Sequence, residues 1–374
     1  MTASVLSARR IRTTPGTFRL GQIPWRTVVL LALGATIAAT AYTLHDADST
    51  RALNGWFIHV GADHPSRALV QAEIPEEPVS DRGSHDGAQF YAIARSPFHL
   101  DVAAASLDRP RYRLQRPLFP LLAYVLHPNG GGDALVWSFV AVGVAGLLLG
   151  GIAAGALSTS LRGPPWPALL FPILPGALIA LRITVPDALA LAFALTAVTL
   201  SLRGRHRWAV VAGLLAVLSK EPMFLVLLGF AVWRRDRPGL AFAGVPALVA
   251  GGWAVWLRTQ VGEGTGSFTD IVAPFSGLAA AASHWVNGED PLSLLTVGAA
   301  IVVAVIALFR RRLAHPLSWA IAINLVFTMV LGPDSLGPER NGARVTLPLL
   351  VLGIVALAAP RGASRPAASA LATS

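Results

Sequence analysis

Residues 85–116 read HDGAQFYAIARSPFHLDVAAASLDRPRYRLQR, and the chain runs straight on into PLFPLLAYVL, residues 117–126. Within that stretch an acid stands beside a glycine (Asp86, Gly87) and two aromatics are adjacent (Phe90, Tyr91). Closely spaced arginines follow at Arg109, Arg111, Arg113 and Arg116. It is the one long polar interruption that also carries chemistry, and the chain on either side is built of apolar runs. The stretch therefore reads as a functional loop held by a membrane scaffold.

Composition supports the scaffold. The 374 residues are 54% hydrophobic and only 13% charged, whereas soluble domains carry about a quarter charged residues. With no cysteine, disulfides and thiolate metal sites are excluded. The net charge of +10 comes from arginines gathered in short caps between apolar runs. That is the distribution of a membrane protein rather than of a groove for phosphate backbones, so no nucleic-acid partner is expected.

The apolar runs are Thr27–Leu44, Ala134–Leu157, Trp166–Leu181, Thr184–Leu202, Trp208–Leu218, Pro222–Trp233, Leu240–Leu257, Leu292–Phe309, Leu317–Leu331 and Val345–Ala359. Leu118–Leu126, flanked and broken by Pro117, Pro120 and Pro128, is too short to cross a bilayer, which takes about twenty apolar residues. It is expected as a re-entrant or interfacial helix. With that assignment the caps at Arg162, Arg203, Arg234, Arg310 and Arg361 all fall on the side of the N-terminus, as the positive-inside rule asks. The expected fold is an all-α membrane protein, a multi-span bundle of about ten transmembrane helices. Residues 1–26 form a cytoplasmic arm, residues 27–359 a single membrane domain with a long external loop at 45–116, and residues 360–374 a disordered tail. Both termini are expected in the cytoplasm. Arg67–Ala72 and Ala88–Ala94 are expected as short helices within the loop, and Gly146, Gly150, Gly151 and Gly155 as a close-packing face.

On this topology the external ends of the helices collect Arg182, Asp187, Lys220, Glu221, Glu339, Arg340 and Arg344 beside the loop. Charged groups near membrane depth are costly and tend to pair or to serve a substrate. One chemistry needing such a rim is attack by an acceptor hydroxyl on a sugar carried by a lipid phosphate. Asp86 would take the proton, and Lys220, Arg340 and Arg344 would neutralise the departing phosphate. Arg113 and Arg116 would frame the entrance, and Tyr91 would pack against a sugar face. A divalent cation is the one cofactor these residues allow, through carboxylate and imidazole only; Asp46-Ala47-Asp48 has a suitable but common spacing.

His85-Asp86-Gly87-Ala88-Gln89-Phe90-Tyr91-Ala92-Ile93-Ala94 resembles the D-G-x-x-Y-x-x-I-A stretch after the first span of PIG-V-like mannosyltransferases. Related bacterial membrane proteins carry a similar D-G-Q-F-Y form, followed by an R-Y-x-x-Q-R-x-L-Y-P-L-L segment. Arg111–Leu122, RYRLQRPLFPLL, is similar to that segment. Ser219-Lys220-Glu221 is similar to their T-R-E turn, and Ala343–Leu349 to their late A-R-x-x-L-P-L. The chain departs in the extra Ala88 and in a lysine at 220. The resemblance implies the GT-C fold and a glycosyltransferase, using a polyprenyl-phosphate sugar, whose catalytic acid matches Asp86. The bilayer, the lipid-linked sugar (a mannose or another hexose or pentose) and a glycan or glycolipid acceptor would be its partners. A membrane transporter and a non-catalytic scaffold of the same fold are the competing readings.

Overall fold

A computed structural model describes residues 24–48, 57–75, 79–80, 85–263, 271–287, 290–337 and 341–360. The N-terminal arm, the tail from 361, Glu339, Arg340 and residues 264–266 of a glycine-rich stretch lie outside the described residues.

The described chain is almost wholly helical. Helix α1 is Trp25–Asp48. The long loop then carries α2 (Arg67–Glu73), α3 (Asp86–Arg95), α4 (Leu100–Ala104) and α5 (Pro110–Arg113). A two-residue parallel pairing, Val60–Gly61 (β1) with Val79–Ser80 (β2), ties its first half together. So the long loop is a small folded cap. The short helix α6 (Leu118–Leu126) follows with the bounds its prolines predict, then the long α7 (Gly132–Ser160).

Trp166–Leu181, expected as one continuous run, is broken into α8 (Pro167–Leu170), a tight turn at Phe171–Ile173, and α9 (Pro175–Arg182). The cause is Pro175, which lacks an N–H and pushes Leu174 into an extended conformation (ψ 138°). Next come α10 (Asp187–Leu202), α11 (His206–Ser219) and α12 (Phe224–Arg234). Helix α13 (Arg237–Gln260) is started by Asp236, whose carboxylate accepts the Gly239 N–H at 2.8 Å. After α14 (Ser276–Val286), helix α15 (Pro291–Arg311) starts in the same way on Asp290. The chain closes with α16 (Ser318–Val330), α17 (Pro333–Leu336), α18 (Asn341–Val345) and α19 (Leu347–Ala358).

Among the described residues four helices are long and apolar enough to cross a membrane: α1, α7, α13 and α15. Helices α10, α11, α16 and α19 are apolar but shorter, 12–16 residues. This is a helical membrane protein. Its core is layered from α1 through α7, α10 and α11 to α13, with α12 packed on α16 and α15 on α19. The close-packing face of α7 is real: a Cβ at Gly146 would lie 3.0 Å from the backbone of Leu189 on α10, and the ring of Phe171 fills the place beside Gly150. The cap is stapled to the bundle by a run of buried rings, Phe90 of α3 against Phe119 of α6 (5.7 Å) and Phe119 against Phe139 of α7 (5.3 Å). The indole N–H of Trp253 on α13 adds a bond to the carbonyl of Leu114 at 2.9 Å.

Candidate active site

Asp86 opens α3, after an extended His85. Its position is set by Gly87: a Cβ there would come 2.5 Å from Thr184 Oγ1, 2.7 Å from the Ile183 carbonyl and 2.9 Å from the Phe57 carbonyl. Only a glycine lets the start of α3 rest on the turn between α9 and α10, which is also the turn that delivers Asp187. The late arginine arrives by an equally close approach, because Gly176 of α9 lies directly under the carbonyl of Ala343 in α18.

These approaches assemble a chain of ion pairs. Asp86 Oδ1 accepts from Arg113 Nη1 at 2.6 Å, and Asp86 Oδ2 from Arg344 Nη1 at 2.9 Å. Arg113 also grips Asp108 with two further bonds, Nε to Oδ1 at 3.0 Å and Nη2 to Oδ2 at 2.9 Å. On the other side Arg344 lies 3.7 Å from Asp187, whose second oxygen accepts from the Lys220 ammonium. Alongside, Arg116 holds both oxygens of Glu221 (2.7 and 2.6 Å), stacks 4.4 Å from the Tyr112 ring centre and donates to the Tyr112 hydroxyl. Burial alone would raise the carboxyl pKa of Asp86, but the guanidiniums of Arg113, Arg344 and Arg116 hold it well below the usual carboxylate range.

The ion pairs line a cavity of about 630 Å³. Its lining also includes the apolar side chains of Met223, Phe327, Leu331, Val345 and Leu347. Buried Asn324 of α16 lines it too, on the same side as Phe327 and Leu331. A ligand with a charged head and an apolar body matches such a lining.

Of the residues singled out in the sequence, Asp86, Arg113, Arg116, Asp187, Lys220, Glu221 and Arg344 meet around this one cavity. Tyr91 does not. Its ring is fully buried, its hydroxyl donates to Glu73 Oε2, and it accepts the Gly132 N–H at 2.6 Å. Arg95 completes that cluster, bonding Glu73 at 2.7 and 2.8 Å and the Gly130 carbonyl at 2.9 Å. Tyr91 therefore fastens the cap to the start of α7, and no face of its ring is left for a sugar. Arg182 also stands apart from the cavity lining, 3.8 Å from Asp46 at the end of α1.

Asp108, Tyr112, His64 and Asn324 line the cavity unforeseen. His64 Nδ1 lies 2.6 Å from Ser66 Oγ and 3.2 Å from the Ser66 backbone nitrogen, while its Nε2 is a buried atom with no hydrogen-bond partner among the described residues. Burial also lowers the His64 pKa, keeping the ring neutral. Among the described residues no group of three or more His, Asp or Glu side chains is arranged to hold a metal ion. Compared with family models, curated proteins and solved structures, the chain matches none.

Proposed function

We propose that this protein is an integral membrane glycosyltransferase, moving a hexose or pentose such as mannose from a polyprenyl-phosphate donor to an acceptor hydroxyl on the external face. The observation that carries the reading is the cavity itself, which an acid on a cap helix and four buried cations line together with apolar side chains. The bundle would have about ten crossings. Its short helices α11 and α12 would meet in a recess with Lys220 and Glu221 at the turn, rather than place those charges at mid-membrane.

In this reaction the acceptor oxygen attacks the anomeric carbon and forms the new glycosidic bond as the bond from that carbon to the phosphate oxygen breaks. The acceptor proton passes to Asp86. The electron pair leaves on the polyprenyl phosphate, where Lys220, Arg344 and Arg116 meet the added charge. A single displacement inverts the anomeric centre. The apolar side chains of Phe327, Leu331 and Leu347 would receive the first isoprene units, and the Tyr112 ring lines the same cavity. A transporter is the second reading, favoured by the buried Lys220–Asp187 pair at the junction of two short helices.

The test uses membrane vesicles carrying the protein or its Asp86→Asn variant, supplied with radiolabelled polyprenyl-phosphate sugars. We expect label to move from lipid to acceptor with wild type and to fall by about 10³-fold in Asp86→Asn. The base works deprotonated and its pKa is depressed, so kcat/KM stays level through neutral pH and falls only below the ordinary carboxylate value of about 4. Equal transfer by both proteins removes Asp86 as the base. No transfer from any donor by folded wild type, with uptake of a solute instead, replaces the reading by the transporter.

A further inference from the structure

Asp86 is poorly disposed to act as a base in this arrangement, since each of its oxygens already accepts from a guanidinium. Each oxygen keeps a second lone pair and the side chain is 20% exposed, but both guanidiniums weaken the carboxylate as a base, and withdrawing one arginine would free an oxygen to take the proton. The two are not equally held. Arg113 keeps two bonds to Asp108 whether or not Asp86 is present. Arg344 has one short bond, to Asp86; its contact with Asp187 is longer at 3.7 Å, and its Nε is buried with no hydrogen-bond partner among the described residues. It is only 8% exposed yet borders the cavity. The charges of Arg116 and Lys220 also bear on it, so an anion placed among the three would be favoured by all of them. Acidic and basic side chains line the cavity in equal number. A charged head therefore gains full pairing only by exchanging with an ion pair already there.

We propose that the phosphate of an entering lipid and the carboxylate of Asp86 compete for Arg344, so that seating the donor uncovers Asp86 Oδ2 for the acceptor hydroxyl. The identity of the lipid rests on the glycosyltransferase reading. Two properties follow. The donor binds before the acceptor, and the base is exposed only when there is a sugar phosphate to attack, which guards the site against idle proton traffic. A lipid with a neutral head does not trigger the exchange.

The experiment measures binding of sugar-free polyprenyl phosphate to the full-length protein in nanodiscs, for wild type, Asp86→Asn, Arg344→Gln and the double variant. Removing the competitor frees Arg344, so Asp86→Asn should bind about tenfold tighter than wild type, the scale of one charge-assisted hydrogen bond. In the Arg344→Gln background the same substitution should change binding by less than about twofold. Tightening that persists without Arg344 would show only the loss of a nearby negative charge and overturns the exchange. So does an Asp86→Asn protein that binds no tighter than wild type. If Arg344→Gln does not fold, an Arg113→Gln background decides: the tightening survives there if Arg344 is the group exchanged, and disappears if it is Arg113. Absence of any binding by folded wild type is a different failure, that of the glycosyltransferase reading itself.

Discussion

Helix α3 carries a polar cluster at each end, and the two ends behave differently. At its start, Asp86 joins Arg113, Asp108, Arg344, Asp187 and Lys220 around the cavity. At its finish, Tyr91 and Arg95 join Glu73 and the backbone of Gly130 and Gly132. Both clusters are largely buried and both join the cap to the bundle. In the second, no buried side-chain oxygen or nitrogen lacks a hydrogen bond, and neither Tyr91 nor Arg95 touches the cavity. In the first, Arg344 Nε and Asp187 Oδ2 have no hydrogen bond among the described residues. A polar network with every group satisfied rigidifies a structure, whereas one with unmet groups facing a cavity can exchange partners with a ligand. On the proposed function, that separates the working end of the helix from the structural one.

The sharpest test of that distinction removes one member of a buried pair. Lys220→Met leaves the carboxylate of Asp187, 4% exposed, facing only the more distant Arg344. Stability measured by unfolding in detergent should drop by about 3–5 kcal/mol, and a second change, Asp187→Asn, should restore most of it. Gly87→Ala comes next. Its new methyl meets two carbonyl oxygens that cannot swing aside, so α3 shifts and Asp86 with it; kcat for sugar transfer should fall by about 10²-fold, as expected for a displacement near 1 Å. The smallest effect belongs to the other end of the helix. Tyr91→Phe removes one acceptor and one donor and should cost about 1–2 kcal/mol of stability with kcat and KM unchanged. A Tyr91→Phe protein that kept its stability and lost its turnover would erase the distinction between the two clusters.

Much of the site could be read in the sequence because the charges came in short local motifs whose side of the bundle the arginine caps assign. Asp86 and Gly87, the run Arg113–Arg116, Lys220–Glu221 and Arg344 belong to four separate stretches, and they do converge. The helices at Arg67–Glu73 and Leu118–Leu126 were equally plain, the latter fenced by prolines. Tyr91 was misplaced for a geometric reason. It lies five residues after Asp86, which on a helix is a rotation of about 140°, away from the cavity; Gln89, three residues on, points back and lines it. Asp108 sits among alanines, leucine and arginines with no motif of its own, and only the fold places it under Arg113. The break at Pro175 could have been anticipated from its effect on Leu174, but the unbroken hydropathy of the run outweighed it.

The bond from Asp86 to Arg344 joins positions 258 residues apart. During synthesis the acid therefore leaves the ribosome roughly ten to fifty seconds ahead of its partner, at ordinary rates of about 5–20 residues per second. In that interval Asp86 can already fold against Arg113 and Asp108, which follow it closely in the chain. Arg344, one of the cations proposed to meet the phosphate, by contrast comes only with the last helices, after Arg116 and Lys220. On the proposed function, a half-made chain would carry its acid already neutralised and lack the complete pocket for a lipid, so completion of the polypeptide would itself be the event that creates the site.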